Sequence, residues 1–329
     1  MVNNAKAPLD SERENNPGLW YRRFGQPDQV LSLDNEALPP LSPQTVRVRM
    51  RYAPVNASDL IPITGAYGHR VVPPLVAGYE GVGVVAQAPA DYASLIGQRV
   101  LALRGSGTWQ RWVDCPASLA VPVPDWVADP LAARAYINPL AALLMLRQHP
   151  PGGRRVLLTA AASDCGILLG QWAQRRGAAT VAGIYRSPIH ARRLMQCGIT
   201  PVSQGDSGAV ARLAAESDLV FDATGGGLAA QILEALPPSA HFICYGLLSG
   251  QSFRQQRPRP QVHWFHMRNY LDEFDSGQWQ ALFAEIWPLL EASQVSAVKV
   301  FAAQEWRQAI NAYHLPGRAF RPLLDLSAL

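Results

Sequence analysis

Lysine is almost missing from this chain: Lys6 and Lys299 are the only two, in a set of 29 basic residues set against 25 acidic ones. The net charge of +4 is small for 329 residues. No run gathers arginine on one face, which excludes the basic footprint of a nucleic-acid-binding protein. Arg154-Arg155, Arg175-Arg176 and Arg192-Arg193 are isolated pairs of the kind that decorate helix ends and solvent faces. Arginine favours planar, bidentate contact with phosphate or carboxylate, so the composition leaves an anionic small ligand open. Cysteine is scarce too. Cys115, Cys165, Cys197 and Cys244 are widely spaced, with no CxxC pair and no secreted framework, and read as reduced, buried thiols. No apolar run approaches the ~20 residues that span a bilayer. Residues 1–16 are polar and lack the apolar core of a leader, so a flexible tail is expected there. A soluble, cytoplasmic protein without a membrane or nucleic-acid partner follows.

A chain of this length that is 48% hydrophobic can bury a large core and points to two domains. From Val30 to about Val123 it is rich in valine, proline and glycine. In TVRVRMRYAPV, Val46, Val48 and Met50 alternate with Arg47, Arg49 and Arg51, which predicts a half-exposed antiparallel strand. Gly78, Gly81 and Gly83 sit among valines, where bulges or close backbone approach are expected. After about Ala132 the texture changes to apolar runs of strand length alternating with helical segments, the pattern of an α/β doubly wound parallel sheet. Strands are expected at Val156–Ala160, Thr180–Tyr185, Leu219–Ala223 and His241–Tyr245. Helices are expected after the first strand and over Pro188–Cys197, Ala209–Ala215 and Leu228–Leu236. RPLLDL near the end reads as a strand rejoining the first domain.

VLLTAAASDCGILLGQWA has the layout of a strand, a small-residue turn and a helix, which places free N–H groups and a helix N-terminus beneath a pyrophosphate. The turn reads Ala162-Ser163-Asp164-Cys165-Gly166, keeping only the last of the usual three glycines. Asp164 would repel a phosphate unless it turns away or caps the helix, and capping is the expectation. At the end of the second strand an NAD enzyme would carry an acid for the ribose hydroxyls. Arg186-Ser187 stands there instead, either a surface arginine or a partner for the 2′-phosphate of NADPH. Tyr245-Gly246 follows a later strand and would lie at the same sheet edge; Asp222 and Gly225-Gly226-Gly227 likewise follow a strand, though three glycines can simply serve a turn.

The order of APVNASDL (53–60), TGAYG (64–68), GYEGVGVV (78–85), GTW (107–109), INPLAA (137–142), the cofactor turn and YG (245–246) resembles the medium-chain dehydrogenase/reductase superfamily, in its zinc-free quinone reductase and enoyl thioester reductase branch. The resemblance runs from about Trp20 to Leu326. It implies a GroES-like β-rich catalytic domain (17–132 and 300–329) and a Rossmann domain (133–299), with a cleft between them. It implies NADPH as cofactor and no metal, because Asn56 and Tyr79 stand where zinc-dependent relatives carry cysteine and histidine. Tyr67 matches the proposed proton donor, although a tyrosine in a loop can equally be packing. Asn138 matches a cofactor contact, or simply turns the chain before Pro139. Ala162–Cys165 match the pyrophosphate loop, Arg186 the adenosine-phosphate contact, Tyr245-Gly246-Leu247-Leu248 the nicotinamide-side loop, and Arg321 the basic residue of the last strand.

The chain departs from the pattern at Ala141, where threonine is common, and in VHWFHMRNYLDEF, which lacks the glycine-aromatic motif of the usual pocket. Trp264, His266, Arg268 and Tyr270 suggest a different substrate wall, although His266 by itself reads as a structural histidine, and the pocket candidates are Asn56, Tyr79, Trp109, Trp264 and Phe265. The implied activity is hydride transfer to an activated C=C of an enoyl thioester or enone, with Tyr67 supplying the proton. Quinone or conjugated-carbonyl reduction is the alternative, and a cofactor-free scaffold keeping the fold is a third reading. A homodimer, common in such relatives, could form through the edge strand expected at His241–Tyr245.

Overall fold

The computed structural model describes residues 15–66, 68–255, 258 and 260–329. The chain divides into two compact units: 1–133 with 299–313 and 322–329, and 134–298 with 314–321. No helix among the described residues is long and apolar enough to cross a membrane.

The first unit is built on β1 (Asn15–Tyr21), β2 (Leu31–Ala37), β3 (Thr45–Pro54), β4 (Leu75–Val76), β5 (Val82–Gln87), β6 (Arg99–Leu101), β7 (Trp112–Pro116) and β8 (Val121–Pro122), with short helices α1 (Pro27–Val30), α2 (Ala57–Leu60) and α3 (Asp129–Ala132). β2-β1-β4 form a small sheet. β15 (Ala297–Ala302) and β16 (Phe320–Asp325) return to head a larger one, ordered β15-β16-β3-β5-β6-β8, with β7 also on β3. The alternation in β3 is present: Val46, Val48 and Met50 are fully buried. The charged side is not simply solvated, however. β7 pairs alongside and sets Asp114 opposite Arg47, whose guanidinium makes two 2.8 Å bonds to that carboxylate and is itself buried. A long strand with several neighbours leaves little room for an exposed face, so this arginine is held by an ion pair. Register shifts between β3 and β5 flank Val48–Met50, and a Cβ on Gly83 would fall 2.4 Å from the Arg49 carbonyl. The valine-glycine alternation therefore does mark a bulged, close strand approach.

The second unit contains β9 (Arg155–Leu158), β10 (Thr180–Tyr185), β11 (Thr200–Ser203), β12 (Leu219–Asp222), β13 (His241–Cys244) and β14 (Gln261–Trp264), all pairing in parallel in the order β11-β10-β9-β12-β13-β14. This is the dinucleotide-fold order, with its direction reversing beside β9. The covering helices are α4 (Ile137–Gln148), α5 (Asp164–Arg175), α6 (Ala191–Gln196), α7 (Ser207–Glu216), α8 (Gly226–Ala235) and α9 (Ser276–Glu291); α10 (Trp306–His314) follows β15. Strands covered on both faces must be apolar throughout, and Leu157, Leu158, Leu219, Val220, Phe221 and Phe242 are all fully buried. Each such side chain contributes about 1.5–3 kcal/mol by leaving water. The four expected strands are present. One expectation fails: β13 lies between β12 and β14, so His241–Cys244 is an interior strand and the edge belongs to β14. The polar, tryptophan-bearing QVHW gave no apolar run by which to recognise that strand.

Candidate functional site

In the second unit the chain leaves β9 through Thr159–Ser163 and enters α5. Ala160 adopts a left-handed φ of 44°, and Gly166 packs so tightly that a Cβ there would lie 2.8 Å from the carbonyls of Ala160 and Ala161. The one retained glycine thus serves close helix–strand approach. Ser163 is the N-cap, its hydroxyl accepting the Gly166 N–H at 3.1 Å. This corrects the capping role expected of Asp164, which occupies the first helical position. Asp164 turns aside instead and is paired with the Arg321 guanidinium and the Ser296 hydroxyl. Both charged side chains are nearly buried, at 13% and 7% exposure, so the carboxylate is neutralised where it stands. Arg321, expected as a cofactor contact, is the partner in this pair. The helix N-terminus keeps its positive character, because the nearby anion carries its own counter-charge.

At the reversal of the sheet, β9 and β12 are tied together beyond their last residues. Thr159 donates to Asp222 at 2.6 Å and accepts the Ala223 N–H at 2.9 Å. Asp222, fully buried, also accepts the N–H groups of Thr224 and Gly225. Burial raises its carboxyl above the usual range, while those donors act in the opposite sense. After β13, Tyr245 lies against Ser163 and Cys165, and burial pushes its hydroxyl well above a normal phenol, Cys165 and Asp222 adding to the effect. Burial likewise pushes the Cys165 thiol up to about 12. Gly246 follows against Ala223, and Leu247 and Leu248 are exposed. Ala162 is half-buried in the turn, and Asn138, in the first turn of α4, turns its carbonyl toward the Cys165 thiol at 3.9 Å.

The tip of β10 carries exposed Arg186, which forms no ion pair among the described residues, and half-buried Ser187. The sequence reading missed what surrounds them. Gly317 sits so close to Ser187 that a Cβ would approach its hydroxyl to 3.1 Å, which brings the Gly317-Arg318 turn to the same place. His190 is there as well; burial lowers its pKa, and Arg193, Arg318 and Arg186 lower it further. Arg193, Arg318 and Arg186 thus all lie near enough to His190 to disfavour its charged form.

In the first unit, Asn56 donates to Glu80 at 2.8 Å, while Asp59 accepts the N–H groups of Asn56 at 2.8 Å and Tyr79 at 3.0 Å. Asn56, Asp59 and Glu80 are all buried. Burial first, and the neighbouring Glu80 second, raise Asp59 to about 8. Asp59 and Glu80 were also missed, although both lie inside the quoted motifs. Trp109 is fully enclosed, its indole N–H on the Pro54 carbonyl, which removes it from any open pocket wall. Trp264 and Phe265 belong to the second unit. Trp264 is 59% exposed and stacks on Phe253 at 5.2 Å, and Phe265 is buried against Tyr270. Tyr67 lies outside the described residues.

Residues 42–125 match the alcohol dehydrogenase GroES-like domain model. The chain is 32% identical over 252 residues to the mitochondrial enoyl-[acyl-carrier-protein] reductase of Arabidopsis thaliana, covering 70% of this chain and 65% of the plant protein. A solved structure from Bacillus thuringiensis, provisionally named NADPH:quinone reductase, superposes with a TM-score of 0.89 at 30% identity, over 95% of this chain and 99% of the other. This chain belongs to the medium-chain dehydrogenase/reductase superfamily. Within the superfamily it falls in the branch of quinone reductases and enoyl thioester reductases. The chain is also similar to a relative of another description, the synaptic vesicle membrane protein VAT-1 homolog of Rattus norvegicus, 28% identical over 233 residues, 68% of this chain and 57% of that protein. The matched stretch is thus under two thirds of the length of each of these two curated relatives.

Proposed function

We propose that this protein is an NADPH-dependent, zinc-independent reductase of activated double bonds, acting on an enoyl thioester or enone. The observation that carries the reading is the cationic set at the tip of β10. Exposed Arg186, with Arg193 and Arg318 near enough to act with it on His190, suits a phosphate dianion on a ribose, where an acid would select against it. The turn Ala162–Gly166 fits the remainder of the cofactor. Its backbone crowds too closely for a side chain at Gly166, its helix N-terminus is free of uncompensated negative charge, and Ser163 supplies a hydroxyl.

In this reading Arg186 and Ser187 hold the adenosine phosphate, Ala162–Gly166 the pyrophosphate, and Asn138 and Tyr245–Leu248 the nicotinamide side. Bound NADPH supplies the hydride. Tyr67 donates the proton to the substrate carbon left basic by reduction, a base stronger than phenolate. Asn56 and Tyr79 replace zinc ligands, and the Asn56 amide is already engaged with Glu80, so polarisation of the substrate falls to hydrogen bonds. Quinone reduction is the second reading, favoured by the name of the structure at 30% identity. Self-association through the sheet edge would use β14.

Fluorescence titration with NADPH tests this cationic set. Saturable binding is expected, with a loss of about 10- to 100-fold in Arg186→Ala that NADH binding does not share. Absence of saturable binding would favour the scaffold reading. Tyr67→Phe should lower turnover by about 10²- to 10⁴-fold with unchanged NADPH affinity. A panel of enoyl thioesters, enones and quinones then assigns the substrate class.

A further inference from the structure

Three histidines that are far apart in sequence meet in the second unit. His149 caps the C-terminus of α4, His241 opens β13, and His263 lies in β14. Their ring centroids are 4.8, 5.4 and 6.3 Å apart, and each offers a nitrogen within 4.8 Å of the other two. We propose that His149, His241 and His263 form a binding site for a divalent transition metal ion of the zinc class, with three imidazole ligands and a fourth position for water.

Geometry carries the argument. His241 Nδ1 and His263 Nε2 stand 3.1 Å apart, one sharing its proton with the other. Two nitrogens bound tetrahedrally to zinc at ~2.0–2.1 Å are separated by about 3.3–3.4 Å, so an ion can replace that proton with a few tenths of an ångström of movement. His149 completes a facial set after a shift of its ring toward the pair. The donor set selects the class of ion: imidazole nitrogen suits zinc, cobalt, nickel and copper, whereas calcium and magnesium require oxygen ligands. The rings are half-buried and packed on one another. Neutral imidazoles carry the free lone pairs that coordination needs.

The position suggests the role. β13 begins at His241, while the cofactor turn lies beyond the opposite, C-terminal ends of the strands. An ion here would clasp the edge strand β14 to its neighbour and to the end of α4. The proposal does not depend on the reductase reading.

The test uses the untagged full chain, stripped with chelator and titrated with Co²⁺. Expected is saturable visible absorption of the intensity typical of four-coordinate cobalt, at one ion per chain and displaced by Zn²⁺, together with a higher melting temperature under zinc. His149→Ala, His241→Ala and His263→Ala should each weaken binding at least tenfold, whereas His69→Ala should not. X-ray absorption of the cobalt-loaded wild type should show three imidazole nitrogens around the metal, and needs no variant to fold. No saturable binding, binding that survives removal of all three histidines, or a shell of oxygen alone would each overturn the proposal.

Discussion

Both units bury aspartates, and they keep them by different means. In the second unit Asp164 meets a guanidinium, and Asp222 is surrounded by one hydroxyl and two backbone N–H donors. In the first, Asp59 faces a second carboxylate, Glu80, and its pKa rises to about 8, so at neutral pH it largely holds its proton. The difference teaches where charge is available to each part of the molecule. The cofactor turn sits on a compensated anion that leaves the helix N-terminus usable, whereas the interior around Asn56 is uncharged at one carboxyl and can donate.

The largest effect should come from breaking the compensated pair. Asp164→Ala leaves Arg321 buried without its counter-charge and should cost about 3–5 kcal/mol in denaturant unfolding, while Asp164→Leu combined with Arg321→Met should restore most of that loss. A single variant as stable as wild type would show that the pair is not buried in solution. A smaller loss is expected at the second aspartate. Thr159→Val removes a donor from Asp222 and the acceptor of the Ala223 N–H, which should cost about 1–3 kcal/mol by the same measurement. The smallest is Asp59→Asn, which removes the titrating group but sets an amide NH2 against one of the two N–H groups that the carboxyl accepts, and should cost about 1 kcal/mol near pH 6. Its signature is pH dependence. A carboxyl raised in the folded state favours folding most below its unfolded value near 4, and that contribution is lost as pH rises toward about 8. Wild-type stability should therefore fall across this window, and Asp59→Asn should flatten the fall. A slope unchanged by the substitution would place the proton elsewhere.

Much of this architecture is legible in the chain because fully buried parallel strands must be continuous apolar runs. VLL, LVF and HFIC announce themselves, and β14, with QVHW at an exposed edge, does not. The cofactor turn could be read from its strand, turn and helix grammar. What Asp164 does there could not, since its partner Arg321 arrives from more than 150 residues away and no local pattern encodes that meeting. The same holds for Arg318, which acts with Arg186 on His190, and for the three histidines. Asp59 and Glu80 gave a signal that was available: acids set within APVNASDL and GYEGVGVV, among residues otherwise destined for the core, must be satisfied by something specific.

The four cysteines have a consequence for any electrophile this protein handles. All are buried and unpaired, and burial holds Cys115, Cys165 and Cys244 at about 12. At neutral pH such a thiol is ionised in only about one molecule in 10⁵, and the thiolate is the form that attacks. The native protein should therefore resist thiol reagents until it is unfolded.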